Sequence, residues 1–177
     1  EDLVKKCRKK GADSAEVYIE NERRLSIEVR NGDVETVEEA ASHGAGFRVF
    51  HKGRMAFASC NDFSDASLEK TIESAVDFAK KTTADVSNVL PDDKGITAVE
   101  GLYDPEVDKV PLDRKIAMAK EVESLAVKDT RITKSAGSRF SDGRGEIFLA
   151  NSNGLSKSYK VSFVGYGVSV VAEKGDQ

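Results

Sequence analysis

Tryptophan is absent from this chain of 177 residues, histidine, cysteine and methionine occur twice each, and proline three times. A metal site of the usual kind needs three or four His, Cys or carboxylate ligands that converge. His43 precedes Gly44 and His51 precedes Lys52, so neither opens a His-Glu-x-x-x-His helix. Cys7 and Cys60 lack the paired spacing of a zinc ribbon or a disulfide framework and read as two reduced thiols. No apolar run approaches the roughly 20 residues of a membrane-spanning helix, and no secretory segment or Asn-x-Ser/Thr sequon is present. A cytoplasmic location is the expectation.

Other absences exclude whole reaction classes. Gly44-x-Gly46 lacks the third glycine of a dinucleotide-binding turn and opens a strand, where no phosphate cradle forms. Gly137, Gly143 and Gly145 flank Ser141-Asp142 without a following Gly-Lys-Ser/Thr, so they read as turn residues and not a phosphate loop. A Gly-x-Ser-x-Gly nucleophile elbow is missing too. Paired acids such as Glu38-Glu39 and Asp92-Asp93 read as solvated charge. Formal net charge is −4, with a sequence pI near 5.4, against a general nucleic-acid binder. The basic run Lys5 to Lys10 has no interleaved aromatics and reads as a solvated helix face. On the residues alone, the catalytic and metal sets are therefore empty.

What the chain does have is patterned strand and helix. Leu25, Ile27 and Val29 alternate with polar residues, the period of a half-buried strand, and Asn31-Gly32 is the signal of a type I′ hairpin. Gly11 closes an opening helix behind basic Lys9 and Lys10. From about Ser67 to Lys81, Leu68, Ile72, Ala75, Val76 and Ala79 make one helical stripe, with Ser67 as its expected N-cap. Residues 82–110, with Pro91 and Pro105, read as a surface connector. Pro111 fits the first position of a second helix whose expected buried stripe is Leu112, Ile116, Ala119, Val122 and Ala126. Strands return from Ile132, and Gly165-Tyr166-Gly167-Val168 echoes Gly44-Ala45-Gly46-Phe47, either as a weak duplication or as two strands bending at glycines.

The fold class is α+β: antiparallel hairpins packed against two main amphipathic helices. An exposed strand could add a further strand by backbone pairing, with side-chain pockets supplying selectivity. Arg48 and Arg54, close to the Gly44–Phe47 strand, are candidate contacts for a peptide or partner, with structural salt bridges as the alternative. Val161, Phe163, Val168, Val170 and Val171 form an apolar terminal strand, from which a concentration-dependent dimer is expected.

Ordered along the chain stand Ala15-Glu16-Val17-Tyr18, the Asn31-Gly32 hairpin, Gly46-Phe47-Arg48-Val49 and Phe57-Ala58-Ser59. The helix at Ser67, Leu102-Tyr103-Asp104-Pro105, Asp129-Thr130-Arg131-Ile132 and the turn Asn151-Ser152-Asn153-Gly154 follow. This succession resembles the N-terminal domain of the TldD/PmbA family, proteins described as modulators of DNA gyrase and similar to zinc peptidases. Tyr159 and the Ala172–Asp176 segment resemble the PmbA branch more than the TldD branch.

The resemblance implies that residues 1–177 form the N-terminal domain of a chain more than twice as long. It further implies a part in proteolysis of small or unfolded peptides, as a homo- or heterodimer with a TldD/PmbA-type subunit. Zinc is then expected only in the C-terminal domain of a TldD-type subunit, with no cofactor in this segment. Direct contact with nucleic acid or membrane is not expected. A non-enzymatic module acting on a partner such as DNA gyrase is the alternative.

Overall fold

The Asn31-Gly32 pair turns the chain back as its pattern demands: Asn31 has φ +54° and Gly32 φ +80°, both positive as a type I′ turn requires. The turn joins β1 (Ser14–Arg30) to β2 (Asp33–His51) in a computed structural model that describes residues 1–93, 95 and 97–174. A second tight turn, Lys52-Gly53 with φ +51° and +71°, leads into β3 (Arg54–Cys60). Strands β4 (Ile132–Asn151) and β5 (Ser156–Ala172) complete a five-stranded antiparallel sheet in the order β3-β2-β1-β4-β5. Helices α1 (Asp2–Lys9), α2 (Asp65–Ala79) and α3 (Leu112–Ala126) accompany it. The α+β class expected from the hairpin and stripe patterns is the class observed.

Two compact units divide the chain, and the long strands pass through both. The first holds residues 1–21, 42–99 and 146–160. Its core is Val4 and Cys7 of α1, Phe47 and Val49 of β2, and the predicted stripe Leu68, Ile72, Ala75, Val76 and Ala79 of α2, all buried. The helix begins earlier than expected. Ser64, not Ser67, is the N-cap: its Oγ accepts the Ser67 N–H at 3.3 Å, and the Asp62 carboxylate holds Ser64 in place through its N–H and its hydroxyl. Burial pushes the Cys7 thiol up to about 11, so it remains an unreactive apolar side chain at neutral pH.

The second unit holds residues 22–41, 100–145 and 161–177. Leu25, Ile27 and Val29 of β1 and Phe140 of β4 pack with Ala119 of α3. Here the helix differs from its predicted stripe. Leu112 is exposed, and the buried positions are Lys115, Ala119 and Glu123, because two charged side chains on that face find partners. Pro111 stands at the N-cap and not inside the first turn. The glycine echo also fails at the level of burial: Ala45, Phe47 and Val49 are buried, whereas Tyr166 and Val170 are exposed.

The hairpin tip yields a direct expectation. Valine at Gly32 places a β-branched residue at positive φ and is expected to cost about 1–3 kcal/mol. A thermal melt of Gly32→Val tests this, and an unshifted midpoint would refute it.

Candidate functional site

The register of β2 with β3 decides what Arg48 and Arg54 can do. Arg48 lies opposite Phe57 and Arg54 opposite His51, whereas Ala56, Ala58 and Cys60 pair with Val49, Phe47 and Ala45, the side covered by α2. Alternation therefore puts Arg48 on the face away from α2 and Arg54 on the face that α2 covers, so the two arginines do not form a single patch. Arg48 Nη2 donates to Glu16 Oε1 at 2.5 Å, and its guanidinium sits 5.9 Å from the centre of the Phe50 ring. Arg54 Nη1 donates to Lys80 O at 3.1 Å, satisfying a carbonyl at the end of α2. His51 Nδ1 is 3.1 Å from Gly11 O, and His43 stacks edge-on against Phe63 at 4.8 Å. Among the described residues, no three His, Cys, Asp or Glu side chains group so as to hold a metal ion.

In the second unit the charges cluster. Asp142 follows Ser138 and Phe140 on the buried side of β4 and is itself fully buried. Lys115 Nζ, brought in by α3, pairs with its Oδ2, and Arg23 Nη1 of β1 lies 3.5 Å from its Oδ1. Arg23 also donates from Nε to Glu39 at 2.8 Å and approaches Asp108, which Arg144 holds at 2.6 Å. Hydrogen bonding to Glu39 raises the Arg23 pKa further, and Arg23 in turn holds the Glu39 carboxyl below its ordinary value. The Lys115 and Asp142 side chains are 4% and 1% exposed, so this ion pair meets neither solvent nor a ligand and serves to fix α3 on the sheet.

A second buried carboxylate closes the hairpin. Glu123 accepts the Asn31 N–H at 3.0 Å, the Gly32 N–H at 2.8 Å and the Ser135 hydroxyl. Burial alone would raise its pKa, but those three donors together hold it below the ordinary carboxylate range. It forms the floor of a groove of about 660 Å³ between Lys120, Lys134 and the hairpin tip. Lys115 and Glu123 sit at i and i+8 about Ala119, on one helix face, but their charged types give no mark of burial.

The two sheet edges are treated differently. On β3, in the first unit, Ala84 bridges to Arg54, the Thr82 hydroxyl donates to Met55 O at 3.0 Å, and Asp85 N donates to Gly53 O at 2.9 Å. On β5, in the second unit, the connector meets the edge at Ser162. Ser162 N donates to Leu102 O at 2.9 Å, and the Ser162 hydroxyl accepts the Asp104 N–H at 2.8 Å. Beyond it Val164, Tyr166, Val170 and Val171 are exposed.

Comparison with known proteins agrees with this architecture. The family model described as PmbA/TldA metallopeptidase domain 1 matches residues 15–79, and that of the PmbA/TldA metallopeptidase central domain matches residues 105–177. A metalloprotease PmbA from Escherichia coli O157:H7 is 30% identical over 169 residues, covering 92% of this chain and 37% of that protein. The Metalloprotease PmbA homolog of Haemophilus influenzae is 29% identical over 174 residues, 95% of this chain and 38% of its own length. The chain thus spans well under half of these curated relatives. A crystal structure of a candidate modulator of DNA gyrase from Bacteroides thetaiotaomicron superimposes with a TM-score of 0.88 at 27% identity, covering 99% of this chain and 40% of that one. With matches to both family models along most of its length, the chain belongs to the TldD/PmbA metallopeptidase family.

Proposed function

We propose that this segment serves a TldD/PmbA-type peptidase by shaping access of small or unfolded peptides and by supporting assembly with a second family subunit, and that it is catalytically silent by itself. The single observation that supports the reading is the undefended β5 edge, which offers backbone donors and acceptors to an extended chain without selecting its sequence. Zinc belongs, on this reading, to the C-terminal domain of a TldD-type subunit. The PmbA branch is favoured, because curated relatives matched over 92% and 95% of this chain carry that name. A cytoplasmic setting fits two free thiols and the lack, among the described residues, of any helix long and apolar enough to cross a membrane. The name of the Bacteroides neighbour favours a second reading, a binding module acting on DNA gyrase.

The test is a casein digest by the purified chain with zinc added, alone and with a TldD-type subunit. Cleavage is expected only when that subunit is present. Cleavage by the chain alone, lost on His43→Ala, would overturn silence. Gyrase retained by the chain while the TldD-type subunit is not would favour the second reading.

A further inference from the structure

We propose that Asn153-Gly154 is a site of spontaneous deamidation gated by the connector, and that the carboxylate it creates loosens the hold on residues 90–93. Every residue concerned lies in the first unit.

Residues 151–155 turn β4 into β5. Asn151 N donates to Leu155 O at 2.9 Å, and Gly154, at φ +90°, donates its N–H to Asn151 O at 3.3 Å. The same turn grips the connector. Asn151 Nδ2 donates to Pro91 O at 2.8 Å, and Lys157 pairs with Asp93 at 2.9 Å. Asn153 Nδ2 donates twice, to Leu90 O at 3.2 Å and to Asp92 Oδ1 at 3.0 Å.

Asn-Gly is the pair most open to ring closure, because glycine has no side chain to keep its nitrogen from the preceding carboxamide. The Gly154 nitrogen gives its proton to hydroxide and attacks Asn153 Cγ. A new N–C bond forms, and the carboxamide nitrogen leaves as ammonia. Water then opens the succinimide at either carbonyl, leaving aspartate or isoaspartate, with no oxidant or cofactor consumed.

The connector is the gate. While residues 90–92 are seated, the Asn153 carboxamide is committed to Leu90 O and Asp92, and it must leave both to reach the Gly154 nitrogen. Each lifting of the connector frees it. The product carboxylate has no N–H for Leu90 O and stands against the Asp92 carboxylate, like charges where a hydrogen bond had been. Isoaspartate further lengthens the backbone inside a tight turn. The connector therefore reseats freely before the reaction and poorly after it.

The chain holds one other Asn-Gly pair, Asn31-Gly32, and there the nitrogen is guarded. Gly32 N donates to Glu123 Oε2 at 2.8 Å, and Glu123 is 3% exposed. Taking that proton would set two negative charges in contact, and Glu123, held below the ordinary carboxylate range, is a weak base. The Gly154 N–H meets a neutral carbonyl at a longer distance, on an exposed residue.

Peptide mass mapping of the purified chain, aged in alkaline buffer, is the test. Trypsin separates residues 145–157 from residues 31–48, so the two pairs are read independently. The first peptide should exchange an amide for a carboxyl several-fold faster than the second, with fragmentation placing the change at Asn153. Asp92→Ala removes one holder of the carboxamide and should speed that conversion several-fold again. Asn153→Asp, which writes the product into the chain, should hasten hydrogen exchange across residues 82–93 while exchange in α2 stays that of the parent. No conversion at Asn153, faster conversion at Asn31, or an Asp92→Ala rate equal to the parent's would overturn the gated site. Unchanged exchange in Asn153→Asp would overturn its effect on the connector.

Discussion

Asp142→Ala is expected to destabilise the fold by about 3–5 kcal/mol, the usual cost of stripping one partner from a buried ion pair. Lys115 would then sit almost wholly buried with its charge unmatched. Arg23 would still have Glu39 and Asp108. The damage therefore concentrates on Lys115 and the seat of α3. Because burying two charges is itself costly, the double replacement Asp142→Leu with Lys115→Met should recover most of the loss. Urea titration of the three variants makes the comparison. A single-variant loss under about 1 kcal/mol would show that Lys115 escapes to solvent when its partner is removed.

Phe47→Ala is expected to cost a similar amount, about 3–5 kcal/mol, for a different reason. Phe47 is fully buried in the core shared with Ile72 and Val76, so truncation leaves a cavity that rigid strand and helix backbones cannot close. Set against a total stability of about 5–15 kcal/mol, that is a large fraction. Phe57, one residue away from Phe47's partner Ala58 and 58% exposed, provides the control. Phe57→Ala should change stability by less than about 1 kcal/mol. Equal losses at both positions in thermal or urea unfolding would mean that the uncovered face of the sheet is packed in solution.

Apolar periodicity was the part of this fold easiest to read. Leu25, Ile27 and Val29 alternate, and Leu68 to Ala79 follow a single stripe, because each residue is buried by its own hydrophobicity and needs no distant partner. The buried side of α3 was not legible, since Lys115 and Glu123 are buried only through Asp142, Ser135 and the hairpin amides, all far away in sequence. The Ser64 cap was hidden for a local reason: Ser64 and Ser67 are both capping types, and the Asp62 side chain decides between them. As for the site, residue types placed Arg48 and Arg54 near one strand. Only the β2–β3 register separates them onto opposite faces.

The sheet order carries a consequence for how the chain acquires its structure. β1 lies between β2, which follows it immediately, and β4, just after which the Ser152 N–H reaches Ala15 O from 137 residues away. During synthesis the β1-β2-β3 meander and α2 can close early from neighbouring sequence. The far side of β1 must then stay unpaired until β4 emerges. Loop closure over that distance is slow relative to hairpin formation. In that interval β1 itself is an edge, and its Glu20, Glu22, Arg23, Arg24, Glu28 and Arg30 supply the charge that keeps a waiting strand soluble.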